Sequence, residues 1–334
     1  PSKARELFEQ ISVRDVVTWN ALIGGYAQQG MGLEALQCFR QMKKEQISPD
    51  VITYTCILKA CGVVRSLEMG EDISEEIVRL GFLQKDVLLG TTLVDMYAKC
   101  GALEKAQKAL DEFCIQDVAS WTALIAGYVE EGSNHKALNC FERMQTEGIC
   151  PNAITYSLIL KACSNIGVID KGMKIHDDIV NNRHCVIEKN VMLGTALIGM
   201  YAKCGDLDKA QALFDGLPQQ SVVSWNALIT GYVQHGFADE AINSFNRMRN
   251  EGHSPNVVTY ASILKACGIL RSTEMGEEIH AELIKQKLLV KDIVLGNALV
   301  DMYAKCGNLD KARVVFDELP IRNTVSWNAL ISGY

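Results

Sequence analysis

The stretch GTALIGMYAKCGDLDKA, Gly194 to Ala210, is written three times with small changes: GTTLVDMYAKCGALEKA starts at Gly90 and GNALVDMYAKCGNLDKA at Gly296. A catalytic motif is needed once, so tandem copies point first to architecture. Trp19, Trp121, Trp225 and Trp327 keep the same rhythm, spaced by 102, 104 and 102 residues and each set in W-[NT]-A-L-I-x-G-Y. Three related pieces align inside each super-repeat: VVTWNALIGGYAQQG from Val16, VITYTCILKACGVVR from Val51 and VLLGTTLVDMYAKCG from Val87. They share an aliphatic residue at the seventh place, Leu22, Ile57 and Leu93.

Divided this way, nine complete units run 16–50, 51–86, 87–117, 118–152, 153–190, 191–221, 222–256, 257–292 and 293–323. Their lengths are 35, 36, 31, then 35, 38, 31, then 35, 36, 31. Residues 1–15 look like the tail of another short unit, and 324–334 like the head of another long one.

Each unit is expected to form two helices. Leu22, Ile23 and Tyr26 have helical spacing before Gly30; Ala35, Leu36, Phe39 and Met42 form a second stripe before Pro49. No period-two alternation persists, which excludes strands. One such hairpin has too little core to stand alone, so neighbours must stack. The expectation is an all-α solenoid in which the Trp, Tyr and Met stripes are packing residues.

The chain has 334 residues, 48% of them hydrophobic, ample for a packed core, and no apolar run approaches the roughly 18 residues of a membrane span. The opening PSKARELFEQ has neither an apolar signal core nor the Arg/Ser-rich character of a transit peptide. A net charge of -7 argues against simple adhesion to nucleic acid. Of the 12 cysteines none forms a CxxC pair, and eight recur in register: Cys61, Cys163 and Cys267 in KAC, Cys100, Cys204 and Cys306 in AKCG, Cys38 and Cys140 in CF. They are expected as buried thiols, with no metal and no cofactor.

Across the whole chain the units resemble pentatricopeptide repeats, and the alternation of WNALIxGY, YxxILKAC and LVDMYAKCG resembles the plant P-L-S subclass. The tetratricopeptide repeat fits less well: it keeps 34 residues per unit and expects Gly where Ile23, Ile125, Ile229 and Ile331 stand here. The resemblance implies a right-handed superhelical solenoid of helix-turn-helix repeats that binds single-stranded RNA, one base per repeat.

By that resemblance the fifth and last residues of each unit read the base. The pairs are Asn20 with Asp50, Thr55 with Asp86, Thr91 with Asp117, Thr122 with Asn152, Ser157 with Asn190, Thr195 with Ser221, Asn226 with Asn256, Ala261 with Asp292, and Asn297 with Asn323. Eight of the nine fifth residues are Asn, Ser or Thr, a restriction hard to ascribe to packing; helix N-capping by these fifth residues is the alternative. The family's code gives a target of about U-n-G-A-n-n-Y-n-Y. The blanks fall on the L-type units, including Ala261, and on Thr195 with Ser221. The second residues Val17, Leu88, Ala119, Met192, Val223 and Val294 are candidate base clamps, with ordinary packing as the alternative. Lys99, Lys203 and Lys305, at the thirteenth place of the short units, are candidate phosphate contacts, or else partners of helix C-termini. Glu68, Glu71, Asp72, Glu75 and Glu76 are expected on the outer face, so that a locally positive groove coexists with an acidic whole.

No nucleophile with a triad emerges, since His135, His176, His184, His235, His253 and His280 are scattered among units. HAE at His280 is not followed by PCxxC, so the zinc-deaminase signature is missing and no enzyme activity is expected of this stretch. The P-L-S resemblance implies a site selector for C-to-U RNA editing in mitochondrion or chloroplast, working with a deaminase domain or accessory RNA-editing proteins. Two other readings are a peptide-binding helical scaffold and an array that binds RNA only with such an accessory protein. End-to-end self-association through terminal repeat faces is also expected.

Overall fold

The computed structural model describes residues 2–11, 13–83, 86–112, 117–181, 190–289 and 292–334, and among them every regular element is a helix. The chain divides into two compact units, Pro1–Ala162 and Cys163–Tyr334. The first contains α1 (Ser2–Glu9), α2 (Val16–Gln28), α3 (Gly32–Lys44), α4 (Val51–Val64), α5 (Leu67–Arg79), α6 (Val87–Lys99), α7 (Leu103–Glu112), α8 (Val118–Glu131) and α9 (Asn134–Thr146). The division falls inside α10 (Ala153–Ile166). The second contains α11 (Ile169–Asn181), α12 (Val191–Cys204), α13 (Leu207–Asp215), α14 (Val222–Gln234), α15 (Ala238–Asn250), α16 (Val257–Leu270), α17 (Thr273–Lys285), α18 (Ile293–Lys305), α19 (Leu309–Glu318) and α20 (Thr324–Ile331).

The punctuation of these helices is local chemistry. The residue before each first helix accepts hydrogen bonds from backbone N–H groups of its opening turn: Asp15 for α2, Asp50 for α4, Asp117 for α8, Ser221 for α14, Asn256 for α16 and Asn323 for α20. Such caps stabilise a helix by about 1 kcal/mol each. Glycines with positive φ follow or end several helices, Gly132 at φ 83° and Gly205 at φ 93° among them, where an L side chain would be strained.

Packing follows the sequence rhythm. In the first unit α2, α4, α6 and α8 contact one another in succession, and in the second α12, α14, α16, α18 and α20 do the same. Trp19, Trp121 and Trp225 are buried, and Phe214 meets Trp225 edge-on with ring centroids 4.4 Å apart. The glycine of WNALIxGY has a steric cause: a Cβ on Gly231 would stand 2.5 Å from the Cβ of Ala202, the alanine of MYAKCG. Gly333 meets Ala304 in the same way at 2.6 Å.

Second helices are stitched by ion pairs. Lys43 meets Glu76 at 2.6 Å, Lys105 meets Glu71 at 2.5 Å, and Arg247 meets Asp215 at 2.8 Å while lying 5.3 Å from the Trp225 ring centroid. Two of the acids expected on an outer face are thus committed to cations. Burial pushes the Cys61 and Cys267 thiols up to about 12, as expected of inert core cysteines. The expectation of burial is corrected for the AKCG cysteines: Cys100, Cys204 and Cys306 are only partly buried. Cys100 sits at the C-terminus of α6, where its thiol reaches the Cys61 carbonyl at 3.9 Å.

Candidate nucleic-acid interface

Each fifth residue lies one turn inside a first helix, so the N-cap reading of these residues is corrected: capping falls to the last residue of the preceding unit. Asp86 accepts from Leu89 N at 2.8 Å, Asp117 from Ser120 N at 2.8 Å, Asn152 from Thr155 N at 2.9 Å, Asn190 from Leu193 N at 3.1 Å and Asp292 from Val294 N at 2.8 Å. Capping therefore accounts by itself for Asp, Asn or Ser at last positions. It does not account for the fifth positions, four of whose side chains reach the cap of the next unit's first helix.

Four predicted pairs are in direct contact. Asn20 Nδ2 donates to Asp50 Oδ1 at 2.9 Å, Asn226 Nδ2 to Asn256 Oδ1 at 3.0 Å, Asn297 Nδ2 to Asn323 Oδ1 at 3.4 Å, and Thr91 Oγ1 lies 3.2 Å from Asp117 Oδ1. Thr122 reaches Asn152 through Thr155, whose hydroxyl is 2.7 Å from Thr122 Oγ1 and 3.0 Å from Asn152 Oδ1. Thr55 and Asp86 share no hydrogen bond, and neither do Thr195 and Ser221; Thr55 and Thr195 donate instead to Val51 O at 2.8 Å and Val191 O at 2.7 Å. Ser157 likewise donates to Ala153 O at 2.9 Å, and Ala261 has no polar side-chain atom.

These bonds decide what each pair has left to offer. A hydroxyl has one proton, and Thr122 gives it to Val118 O at 2.6 Å; Thr91 has Val87 O at 3.0 Å besides Asp117. Such a threonine presents an acceptor. With Asp117 beside it, the Thr91 site offers acceptors, which suits the N–H-rich edge of guanine. With Asn152, whose oxygen is occupied by Thr155, the Thr122 site offers an acceptor and an amide donor, the complement of adenine. Each asparagine at a fifth place has two N–H bonds and two lone pairs, and its contacts consume one of each. One donor and one acceptor remain, the same pair of groups that Thr122 with Asn152 presents, so hydrogen bonding at these sites accommodates a pyrimidine or adenine alike and size must separate them.

The second residues are exposed: Val17, Leu88, Met192, Val223 and Val294 all lie on the surface, as does Ala119. Ordinary packing is thereby corrected as their role. Sequence reasoning passed over Ile52, Ile154, Val258 and Val325, exposed apolar residues at the same place in their own helices. Val294 and Val325 line one open pocket of about 600 Å³ together with Asn297 and Asn323. Lys265 of ILKAC is on that wall too, one helical turn beyond Ala261.

The three candidate phosphate lysines are exposed but differ in charge environment. Lys99 pairs with Asp95 at 2.7 Å and Lys305 with Asp301 at 2.6 Å, both within one helix. Gly199 stands at the corresponding place before Lys203, which bonds the amide oxygen of Asn165 at 3.0 Å. Among the described residues no group of three metal-ligating side chains gathers, and no helix is long and apolar enough to cross a membrane.

Helix pairs repeated in register, with short polar side chains at one place of most first helices and exposed apolar residues at another, define a helical-repeat protein. The chain belongs to the pentatricopeptide repeat family: the PPR repeat family model matches residues 14–62, 116–165 and 220–268, and the PPR repeat model matches 91–114, 195–221 and 297–323. A chloroplastic pentatricopeptide repeat-containing protein of Arabidopsis thaliana is 36% identical over 333 residues, covering 100% of this chain and 40% of the relative. A mitochondrial one from the same plant is 35% identical over 332 residues, covering 99% and 48%. The chain thus spans about half or less of the length of these relatives. The crystal structure of the pentatricopeptide repeat protein PPR10 in complex with an 18-nt psaJ RNA element aligns over 100% of this chain and 50% of its own, with a TM-score of 0.81 at 20% identity. That likeness is one of fold.

Proposed function

We propose that this chain binds single-stranded RNA with one base per helix pair, as nine P-L-S repeats over residues 16–323, on a target of about U-n-G-A-n-n-Y-n-Y. The observation that carries the reading is the agreement between hydrogen bonding and code. The fifth and last residues to which the code assigns a base are joined directly or through Thr155, whereas Thr55 with Asp86 and Thr195 with Ser221, left blank, are not joined. The donors and acceptors left on each joined pair are compatible with the base the code names, and the shorter threonine leaves room for a purine where asparagine does not. Exposed apolar second residues supply a surface on which a base can stack, as unstacked RNA bases require.

In this reading Val17, Leu88, Ala119, Met192, Val223 and Val294 hold the bases, and Lys203, with Lys99 and Lys305 beside their aspartates, meets the phosphates. The array selects the target site of a C-to-U RNA editing factor in chloroplast or mitochondrion, in keeping with the locations given to its relatives. The deaminase activity belongs to another domain or an accessory protein.

The test is affinity, at stated salt, for an RNA carrying U-n-G-A-n-n-Y-n-Y against one with A and G exchanged at the third and fourth places. Preference for the first supports base reading by paired residues. Equal binding of both, or binding only after an accessory protein is added, rules out autonomous recognition.

A further inference from the structure

The asparagine readers are held by a third residue that the code does not contain. Thr259 Oγ1 lies 2.6 Å from Asn226 Oδ1, Ser326 Oγ lies 2.7 Å from Asn297 Oδ1, and Thr53 Oγ1 lies 2.6 Å from Asn20 Oδ1. Each hydroxyl is the third residue of the following first helix and fully buried. Each also accepts the backbone N–H of the cap, at 3.0 Å from Asn256, 3.1 Å from Asn323 and 3.1 Å from Asp50.

The bonding forms a closed ring. The cap backbone donates to the hydroxyl, the hydroxyl donates to the reader's Oδ1, and the reader's Nδ2 donates to the cap's Oδ1. An asparagine amide has two nearly isosteric ends, and rotating it by half a turn exchanges donor for acceptor. In this ring the flipped amide would set its oxygen against Asp50 Oδ1 or Asn256 Oδ1, two acceptors facing each other, and would turn the hydroxyl from the reader to the cap's Oδ1, which lies 2.9 Å from it in Asp50 and 3.2 Å in Asn256. Only the unflipped orientation keeps the reader's oxygen off the cap's acceptor and on the hydroxyl.

We propose that Thr53, Thr259 and Ser326 are specificity-positioning residues, which fix the amide orientation of Asn20, Asn226 and Asn297 and so decide which edge of a pyrimidine each one accepts. The inference rests on the base-reading proposal for its RNA consequence but not for the amide geometry itself. Capping alone does not explain the arrangement, because hydroxyls at the same place differ in what they reach: Thr155 meets the Thr122 hydroxyl at 2.7 Å, while two serines point elsewhere. Ser120 Oγ donates to Asp117 O and Ser224 Oγ to Ser221 O, each at 2.9 Å, and neither bonds the threonine upstream.

Thr259→Val, Thr259→Ser and Ser224→Ala, made in the full chain, separate positioning from capping. The first readout is affinity for a single-stranded RNA of the proposed pattern with U or A at the seventh place. Thr259→Val should reduce the preference for U by about fivefold, the worth of one neutral hydrogen bond. Thr259→Ser should restore it, and Ser224→Ala, which loses the same kind of capping hydroxyl, should leave it unchanged. The second readout needs no RNA: the Asn226 side-chain amide proton held by Asn256, followed by NMR, should be exchange-protected in the parent and lose that protection in Thr259→Val alone. Retention of both the preference and the protected amide in Thr259→Val overturns the inference. A parent chain without any seventh-base preference refutes base reading at this step, and the amide signal still decides positioning. Ser326→Ala beside Asn297 repeats the amide test if Thr259→Val does not fold.

Discussion

Asn20 and Asp50, separated by 30 residues, meet at 2.9 Å, so one carboxylate both caps α4 and anchors the side chain of the helix before it. Burial alone would raise the Asp50 carboxyl. Bonds from the Thr53 backbone N–H, the Asn20 amide and the Thr53 hydroxyl outweigh it and hold the group below the ordinary carboxylate value. A depressed folded-state pKa stabilises fully above the unfolded value of about 3.9 and loses that contribution as pH falls through the folded value. Asp50→Asn, which can still cap, is expected to flatten the acid limb of stability below about pH 4 relative to the parent. Asp50→Ala is expected to lose about 1 kcal/mol at neutral pH as well. Urea unfolding across that pH range checks both.

Thr91 differs from Asn297 at the same place of its motif, and its hydroxyl is divided between Val87 O at 3.0 Å and Asp117 Oδ1 at 3.2 Å. Thr91→Asn places an amide beside an acceptor-only cap, the arrangement of Asn20 with Asp50. The expected outcome is a shift at the third base from G toward U by about tenfold in relative affinity, or ~1.4 kcal/mol. Competition binding with RNAs that differ only at that base measures it.

The motifs made the helices legible because their stripes repeat: WNALIxGY and MYAKCG each place apolar residues at three- and four-residue spacing, and breakers close every pair. The fifth residues were legible as a column of short polar side chains. The capping alternative for them falls five residues too far into the same helix, since residue type alone does not say which place of a turn it occupies; the aspartates immediately before Val51, Val87 and Val118 carried the signal. Thr53, Thr259 and Ser326 escaped notice because a buried hydroxyl in a helical stripe reads as packing, and their bonds join residues of successive helix pairs. The ion pairing of Lys99 and Lys305 was readable from the aspartate four places earlier, as was the exception at Gly199.

That exception predicts unequal lysines. Lys203 has a neutral amide at 3.0 Å where Lys99 has the Asp95 carboxylate at 2.7 Å, so its charge is less compensated locally. If RNA phosphates lie along this edge, Lys203→Ala should reduce the slope of log affinity against log salt by about 0.7, the value for one single-strand phosphate contact. Lys99→Ala should change it less, because its removal also leaves Asp95 uncompensated. Titrations at four or more salt concentrations distinguish the two; identical slopes for both variants and the parent would remove these lysines from the phosphate path.

The WNALIxGY glycines yield a prediction of opposite signs at equivalent places. A Cβ on Gly231 would stand 2.5 Å from Ala202 Cβ and 3.2 Å from Ala202 Cα, and a short alanine on a packed helix has no rotamer with which to yield. Gly231→Ala must push α12 and α14 apart, and overpacking of this kind costs about 1–3 kcal/mol. A Cβ on Gly25, the same motif position in α2, meets nothing within 4 Å. There the change only removes backbone entropy from the unfolded chain and improves helix propensity, so Gly25→Ala should stabilise by about 0.5–1 kcal/mol. Chemical denaturation gives the two signs, and hydrogen exchange should place the loss in Gly231→Ala on α12 and α14. Equal effects at the two sites would show that close helix approach is not the reason for glycine in this motif.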